Sequence, residues 1–164
     1  MNLAESAFDG HADMLHDEER NQAYHDAIRR AAAQIGESSA IDIGTGSGLL
    51  ALFAACESVT KVTAFEVNPK LSRLAERVVE DNNAADTVSV VNSHSTEVRN
   101  MEPKASLMTH ELLDSGLHSE GLLPAIRHAW KELLTPDAVT VPHSVMLFAQ
   151  PVRSEFLRLS LIHI

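Results

Sequence analysis

Apolar residues along the chain alternate between helical spacing and short continuous runs. A helix is predicted over residues 13–35, ending at Gly36, because apolar residues recur every three or four positions at Tyr24, Ala27, Ile28, Ala31 and Ile35. Asn68-Pro69 predicts another helix start, with Asn as the N-cap and Pro at the first helical position. Further helices are predicted over 49–56 and 122–134, and strands over 40–43, 61–66, 88–91, 105–109 and 145–149.

Alternating strands and helices are typical of an α/β fold with a parallel sheet covered by helices on both faces. Ligands of such sheets bind beyond the carboxyl ends of the strands. Four such ends carry the residues of chemical interest: Gly44 to Gly48, Glu66, Ser95 to Glu97, and Glu111. This agreement across four connections predicts one site at one edge of the sheet.

Composition narrows the class of protein. The chain has 164 residues, 45% of them hydrophobic, so it can bury the core of one domain. Its formal charge of −10 disfavours direct nucleic-acid binding and suits a basic partner, although acidity also serves solubility. A single cysteine favours a reducing compartment, and the nine histidines lack metal-ligand spacing, so no metal is expected. No apolar run approaches the roughly 18 residues of a membrane span.

The glycine-rich turn after the first strand predicts a cofactor site. Within the segment from Ile41 to Gly48, Asp42 lies near the end of a predicted strand and glycines follow at positions 44, 46 and 48. This G-x-G-x-G spacing differs from the G-x-G-x-x-G of dinucleotide-binding proteins. Asp42 would repel a pyrophosphate but suits a ligand with an ammonium or sulfonium group, and Glu66 can take both ribose hydroxyls. These features describe S-adenosylmethionine. Arg20, one turn into the first helix, would grip the carboxylate of this cofactor, or else form a solvated ion pair with Asp17.

Two acidic residues flank a stretch of turn formers. Glu111 ends an apolar run and Glu120 follows nine residues later, with Asp114, Ser115 and Gly116 between them. Two carboxylates facing one pocket repel each other and are costly to desolvate, unless the pocket receives a cation. Taken singly, Glu111 could be a strand-end residue and Glu120 a solvated helix residue. Beside a sulfonium cofactor, the pair predicts a clamp for a guanidinium, which carboxylates hold in a forked grip.

Several segments together resemble the protein arginine methyltransferases over residues 12–150. They are Asp13 to Asp17 with Arg20-Asn21, the turn from Asp42 to Gly48, Glu66, His94 to Val98, and the Glu111/Glu120 pair. The sequences of these segments are most similar to the members of the family that monomethylate arginine. The segment from His128 to Leu133 is also similar to a member that dimethylates arginine symmetrically. The resemblance implies a Rossmann-like S-adenosylmethionine-dependent methyltransferase domain.

The resemblance also implies roles for individual residues. Glu111 and Glu120 would clamp the substrate guanidinium, and Asp17 would orient the catalytic centre. The cofactor would be bound by Met14, Arg20, Asp42, Gly44, Gly46, Glu66, Thr96 and Glu97, with no metal. Ser119 and His110 depart from the family pattern beside the two glutamates. The family's β-barrel domain is expected to be absent, and with it the histidine that pairs with the counterpart of Asp17.

The expected domain organisation has three parts. Residues 1–11 form an N-terminal extension and 12–151 the methyltransferase domain. Residues 152–164 form a truncated tail, of which 159–164 read as a translated sequencing adapter. The expected function is monomethylation of arginine in glycine/arginine-rich proteins of the cytoplasm or nucleus, without membrane binding. A homodimer or pseudo-dimer is expected only for a full-length protein. The alternatives are a fragment that binds S-adenosylmethionine without turnover and a small-molecule methyltransferase, and mono- versus symmetric dimethylation stays open.

Overall fold

The computed structural model describes residues 14–113, 121–148, 151 and 153–154. Glu120 lies outside these ranges, as do the expected N-terminal extension and the 159–164 segment. Apart from a helical turn at residues 14–16, the described residues form five strands, four helices and two shorter helical turns. In chain order these are α1 (Glu18–Ile35), β1 (Ser38–Ile43), α2 (Leu49–Ala55), β2 (Val59–Phe65), α3 (Pro69–Asp81), β3 (Val88–Val91), a 3-10 turn (Ser95–Glu97), β4 (Ala105–His110), α4 (Leu122–His128), a π-helical turn (Ala129–Leu133) and β5 (Leu134–Val141).

All the strand pairings are parallel, and the strands lie in the order β3-β2-β1-β4-β5. Strand order reverses between β1 and β4, where the connections leave the sheet in opposite directions and open a crevice at the carboxyl ends. The predicted α/β class with a parallel, Rossmann-like sheet is confirmed. The turn after β1 and Glu111 after β4 therefore lie side by side at this crevice.

Both faces of the sheet carry helices, as predicted. On one face, α1, α2 and α3 bury an apolar cluster against the inward side chains of the strands, including Ile28, Ala51, Val62, Val79 and Leu107. On the other face, α4 and the π-helical turn pack Ala125, Ala129 and Leu133 against Ile41, Phe65 and Met108. The alternation along β1, where Ala40 belongs to one cluster and Ile41 to the other, follows from the two-residue period of a strand.

The helix predicted to start at Asn68-Pro69 is confirmed. Asn68 is the N-cap, and its side-chain oxygen accepts the backbone N–H of Lys70 at 2.9 Å. Gly36 ends α1 with a positive φ of 71°, and its N–H donates to the carbonyl of Ala32. These two boundaries could be predicted because capping depends on local chemistry.

The last strand was predicted in the wrong place. The fifth strand is β5, whereas Val145 to Phe148 lie in no strand and are exposed. The strand β5 was missed because Thr135-Pro136-Asp137 has the composition of a turn. Proline is nevertheless tolerated in a strand at the edge of a sheet, which is where β5 lies. The predicted helix over 122–134 is also too long, because Leu134 already belongs to β5.

Candidate functional site

The turn after β1 has a backbone that glycine accommodates best. Gly44, Gly46 and Gly48 have φ angles of 75°, 58° and 91°, in the left-handed region that side chains with a Cβ rarely adopt. A Cβ on Gly44 would also lie 2.9 Å from Cδ2 of Leu112. The N–H groups of Gly44 and Thr45 both donate to the Phe65 carbonyl at 3.0 Å, so the turn is fastened to β2. The backbone therefore forms the tight turn at which the sequence predicted a cofactor site.

Glu66 is held at the carboxyl end of β2 and is only 6% exposed. One carboxylate oxygen accepts the N–H of Gly46 at 2.9 Å, and the other accepts the N–H of Asn68 at 2.8 Å. Hydrogen bonds to a charged acceptor are among the stronger ones in proteins. Glu66 and Gly46, both predicted to bind the cofactor, are thus brought into direct contact.

Asp42 is completely buried in β1. Its two oxygens accept the hydroxyl of Thr45 at 2.6 Å and the hydroxyl of Thr109 at 2.7 Å. Burial raises the pKa of the Asp42 carboxyl to about 6, although both hydroxyl hydrogen bonds act to lower that pKa. Its predicted place beside the methionine portion of a cofactor stays a prediction, and the structure adds two threonine partners that sequence reasoning missed.

A slot of about 110 Å³ opens beyond the ends of β1, β2 and β3. It is lined by Ile43, Gly44, Phe65, Val67, Ser93, His94, Ser95, Leu112 and Ala125. Apolar walls with a few polar groups suit a flat heteroaromatic ring. The slot touches residues 93–95, whereas Thr96 hydrogen-bonds Nδ1 of His94 and Glu97 accepts the hydroxyl of Ser93. The adenine-contact role of Thr96 and Glu97 remains a prediction.

Arg20 and Glu111 meet across the crevice. A guanidinium nitrogen of Arg20 lies 3.5 Å from a carboxylate oxygen of Glu111, and the two side chains are 21% and 20% exposed. The same guanidinium donates to the side chain of Asn21 at 2.8 Å and lies 5.0 Å from the ring centre of Tyr24. The first helix therefore brings a cation to the carboxylate predicted to bind a substrate cation.

Tyr24 and His110 support the end of β4. The hydroxyl of Tyr24 donates to the backbone carbonyl of His110 at 3.2 Å, and burial, followed by the charge of Glu111, raises the pKa of Tyr24 to about 12. His110 is 2% exposed, and burial lowers its pKa to about 4, so its imidazole is neutral near pH 7. Its Nδ1 has no hydrogen-bond partner among the described residues. Tyr24, the only tyrosine of the chain, served in the sequence analysis as one position of an apolar helical pattern, and its hydroxyl contact was missed.

Asp17 caps α1, which begins five residues later than predicted. Its carboxylate accepts the backbone N–H of Arg20 at 2.9 Å, so the interaction with Arg20 goes through the main chain. Met14 lies half-buried in a helical turn before this cap, and its carbonyl accepts the N–H of Asp17 at 3.3 Å. The catalytic role of Asp17 and the cofactor role of Met14 stay predictions, as does the Glu120 half of the carboxylate pair.

Within the described ranges, no group of three or more His, Cys, Asp or Glu side chains is arranged to hold a metal ion. Among the helices of the same ranges, none has both the length and the apolar character needed to cross a bilayer.

Comparison with known proteins agrees with this geometry. The profile of the ribosomal protein L11 methyltransferase family (PrmA) matches residues 26–111, which include β1 to β4. Protein arginine N-methyltransferase 7 of Rattus norvegicus is 37% identical over 160 residues. That alignment covers 92% of this chain and 23% of the rat protein, so the chain spans about a quarter of the length of this relative.

Two solved structures share the fold. The Trypanosoma brucei PRMT1 enzyme-prozyme heterotetrameric complex with AdoHcy has a TM-score of 0.72 at 28% identity, covering 79% of this chain and 40% of that one. Protein arginine methyltransferase 10 of Arabidopsis thaliana also has a TM-score of 0.72, at 29% identity, covering 80% of this chain and 37% of that one. The β-barrel of the family has no counterpart among the described residues. The chain therefore belongs to the protein arginine methyltransferase family, and its first four strands form the core that the L11 methyltransferase profile also describes.

Proposed function

We propose that the chain binds S-adenosylmethionine at the crevice and takes part in methyl transfer to the guanidinium of a protein arginine. The residues at the crevice fit this cofactor. Gly44, Gly46 and Gly48 leave three positions of the turn without a side chain, the buried Glu66 would accept the ribose hydroxyls, and the slot beside Phe65 would receive the adenine ring. When bound, the cofactor supplies an electrophilic methyl group on a sulfonium.

Arg20 and Glu111 are given complementary roles in this proposal. Arg20 binds the carboxylate at the amino-acid end of the cofactor, because it is a fixed cation one turn into α1 at the rim of the crevice. Glu111 binds the guanidinium of the substrate, together with Glu120. The observation that carries the proposal is the Arg20–Glu111 contact of 3.5 Å, since it places Glu111 against a guanidinium at the same edge as the glycine turn.

Glu111 would assist transfer by orienting and polarising its substrate. Arginine stays protonated at ordinary pH, and its charge is spread over three nitrogens, which makes it a poor nucleophile. Carboxylates that hold two of these nitrogens draw the positive charge toward themselves and leave lone-pair character on the third. Glu111 would hold this nitrogen toward the methyl group that the cofactor supplies. The new N–C bond would replace the bond between methyl and sulfur, which leaves S-adenosylhomocysteine, and the methylated nitrogen would lose one proton. The product type is proposed to be monomethylarginine, and the substrates glycine/arginine-rich proteins.

The proposal is tested with Glu111→Gln. The amide keeps the shape of the side chain but cannot compensate a guanidinium charge, so we expect methyl transfer to a glycine/arginine-rich peptide to fall at least about a hundredfold. Binding of S-adenosylhomocysteine, measured by calorimetry, should change less than about threefold, because Glu111 is given no cofactor contact. Glu76→Gln on the exposed surface of α3 is the matched control.

Mass spectrometry of the peptide from the same assay distinguishes mono- from dimethylated arginine. Undiminished transfer by Glu111→Gln would overturn the substrate role of this residue. A chain that binds neither S-adenosylmethionine nor S-adenosylhomocysteine would overturn the cofactor assignment.

A second candidate function is a donor-binding module that does not itself transfer the methyl group. It is favoured by the hydrogen bonds of Glu66 to Gly46 and Asn68, because these donor-binding groups are in place without any contribution from Glu111. The two candidates differ in one assay. If the 164-residue chain binds S-adenosylhomocysteine but methylates no peptide, while a version extended to the length of its relatives does, the module is the correct description of this chain.

A further inference from the structure

Two threonines from different elements share one buried carboxylate. Asp42 is 0% exposed, and its oxygens accept the Thr45 hydroxyl at 2.6 Å and the Thr109 hydroxyl at 2.7 Å. Thr45 belongs to the glycine turn after β1, whereas Thr109 lies in β4. The side chains thus add a cross-link to the backbone pairing of Asp42 with Thr109 in the parallel β1–β4 ladder.

The cross-link joins the two halves of the crevice. On one side, the turn that contains Thr45 also supplies Gly46, whose N–H donates to Glu66. On the other side, Thr109 precedes Glu111 by two residues along β4 and the segment that follows it. A displacement of Thr109 would therefore be felt at the glycine turn and at Glu111 together.

We propose that Thr109 is a positioning residue that couples the methyl-donor turn to Glu111, with Asp42 as the shared acceptor between them. This inference rests on the proposed function. It gives Asp42 an architectural task, since both of its oxygens are engaged within the protein. A hydroxyl at position 109 has a specific use here, because a buried carboxylate without donors is strongly destabilised in its ionised form.

The groups around Asp42 determine how far the pKa of its carboxyl depends on the Thr109 hydroxyl. The pKa of Asp42 is raised to about 6 as the net result of several causes. Burial, the largest cause, and the negative charge of Glu66 raise it, while hydrogen bonds from Thr45, Thr109 and the backbone N–H of Ala51 lower it. From α1, Tyr24 is the further titratable group affected, because the charge of Asp42 contributes, as the smallest of the raising causes, to the raised pKa of that tyrosine. Removing the Thr109 hydroxyl takes away one of the three stabilising hydrogen bonds.

The test compares Thr109→Val, which removes the hydroxyl but keeps the branched shape, with Thr109→Ser, which keeps the hydroxyl. Thr63→Val is the matched control, because Thr63 lies in the neighbouring strand β2. The first readout is the titration of the Asp42 carboxyl by ¹³C NMR without any ligand. We expect Thr109→Val to raise this pKa and Thr109→Ser and Thr63→Val to leave it unchanged.

The second readout is the Kd of S-adenosylhomocysteine between pH 5 and pH 8. Thr109→Val should weaken binding about tenfold at pH 7.5, as expected for the loss of one hydrogen bond to a charged group, and should shift the pH profile to higher pH. Thr109→Ser should restore the parent profile. Thermal unfolding checks that each variant is folded. If Thr109→Val does not fold, Thr109→Ala replaces it in both measurements.

Either of two results would overturn the inference. The Asp42 pKa and the Kd of Thr109→Val could equal those of the parent, or Thr109→Ser could be impaired as much as Thr109→Val, which would mean that shape and not the hydroxyl matters. Failure of the parent chain to bind S-adenosylhomocysteine would contradict the proposed function instead. The ligand-free carboxyl titration still decides the role of Thr109 in that case.

Discussion

Acidic side chains at the ends of β1 and β2 and at the end of β4 lie in different surroundings. Around the glycine turn, the oxygens of Asp42 and Glu66 accept hydrogen bonds of 2.6 to 2.9 Å from hydroxyls or backbone N–H groups. Past β4, Glu111 is one-fifth exposed and has a looser contact of 3.5 Å with Arg20. His110 beside it keeps a buried nitrogen without a partner among the described residues.

The difference separates a preorganised half from an adaptable one. Groups whose hydrogen bonds are already made need little rearrangement when a ligand arrives, which favours affinity. A carboxylate held only by a weak, partly exposed ion pair can exchange its partner at small cost. The glycine turn is therefore suited to a constant ligand, and the Glu111 edge to a side chain that enters and leaves.

Removing Glu66 would break the preorganised half and should have the largest effect. Glu66→Ala leaves the N–H groups of Gly46 and Asn68 without their charged acceptor, and we expect a loss of about 4 kcal/mol in the free energy of unfolding. The Kd of S-adenosylhomocysteine should rise about a hundredfold or more. Urea unfolding and calorimetry measure the two effects. The exposed Glu76→Ala is the control, and parent-like affinity in Glu66→Ala would show that the turn does not depend on this carboxylate.

Asp42→Asn tests the charge within the same half. The carboxyl has a folded pKa of about 6, above its ordinary value of 3.8, so between these values the folded state holds a proton that the unfolded state has released. Stability then falls as pH rises through this window, by about 3 kcal/mol in total for this group.

The measurement for Asp42→Asn is the difference in unfolding free energy between parent and variant at pH 4, 5, 6 and 7. The advantage of the parent over Asp42→Asn should shrink across that range. The exposed Asp81→Asn should differ from the parent by less than about 0.5 kcal/mol throughout. A difference between parent and Asp42→Asn that does not change with pH would contradict the burial of an ionisable carboxyl.

His110→Leu tests the other half, with the opposite sign. Burial lowers the pKa of His110 from 6.5 to about 4, so the unfolded state takes up a proton first as pH falls. The parent should lose about 2.5 kcal/mol relative to His110→Leu between pH 6.5 and pH 4, because His110 is almost completely buried. At pH 7.5 the two should be nearly equal, because an apolar group replaces a buried nitrogen that has no partner. Urea unfolding of parent and variant at pH 4, 6.5 and 7.5 measures the difference in unfolding free energy. A difference that is the same at all three pH values would contradict the lowered pKa of His110.

Tyr24→Phe should have the smallest effect. It removes the hydrogen bond to the His110 carbonyl but keeps the ring near Arg20, so we expect a loss of about 1 kcal/mol in stability. If the adaptable half depends on this support, the KM for a glycine/arginine-rich peptide should rise a few-fold while the Kd of S-adenosylhomocysteine stays constant. A change in the cofactor Kd alone would place Tyr24 with the preorganised half.

Sequence patterns predicted the preorganised half better than the adaptable one. The nearness of Gly46 and Glu66 follows from the rule that parallel strands end at one edge, and the glycine spacing is visible in the sequence. The contact of Arg20 with Glu111 depends on how α1 crosses the sheet, which no local spacing encodes. The Thr109 hydroxyl bond was missed because a threonine in an apolar strand reads as an ordinary β-branched residue. The strand β5 was missed because Pro136 resembles a turn residue.

The run from Val145 to Phe148 has a practical consequence for preparing this chain. These four consecutive apolar residues are 46%, 75%, 66% and 84% exposed, and they follow the edge strand β5. Contiguous apolar surface of this kind promotes self-association in water, and the formal charge of −10 opposes it through repulsion between molecules. Salt screens that repulsion and strengthens hydrophobic contact, so the elution volume of the purified chain should decrease as salt is added.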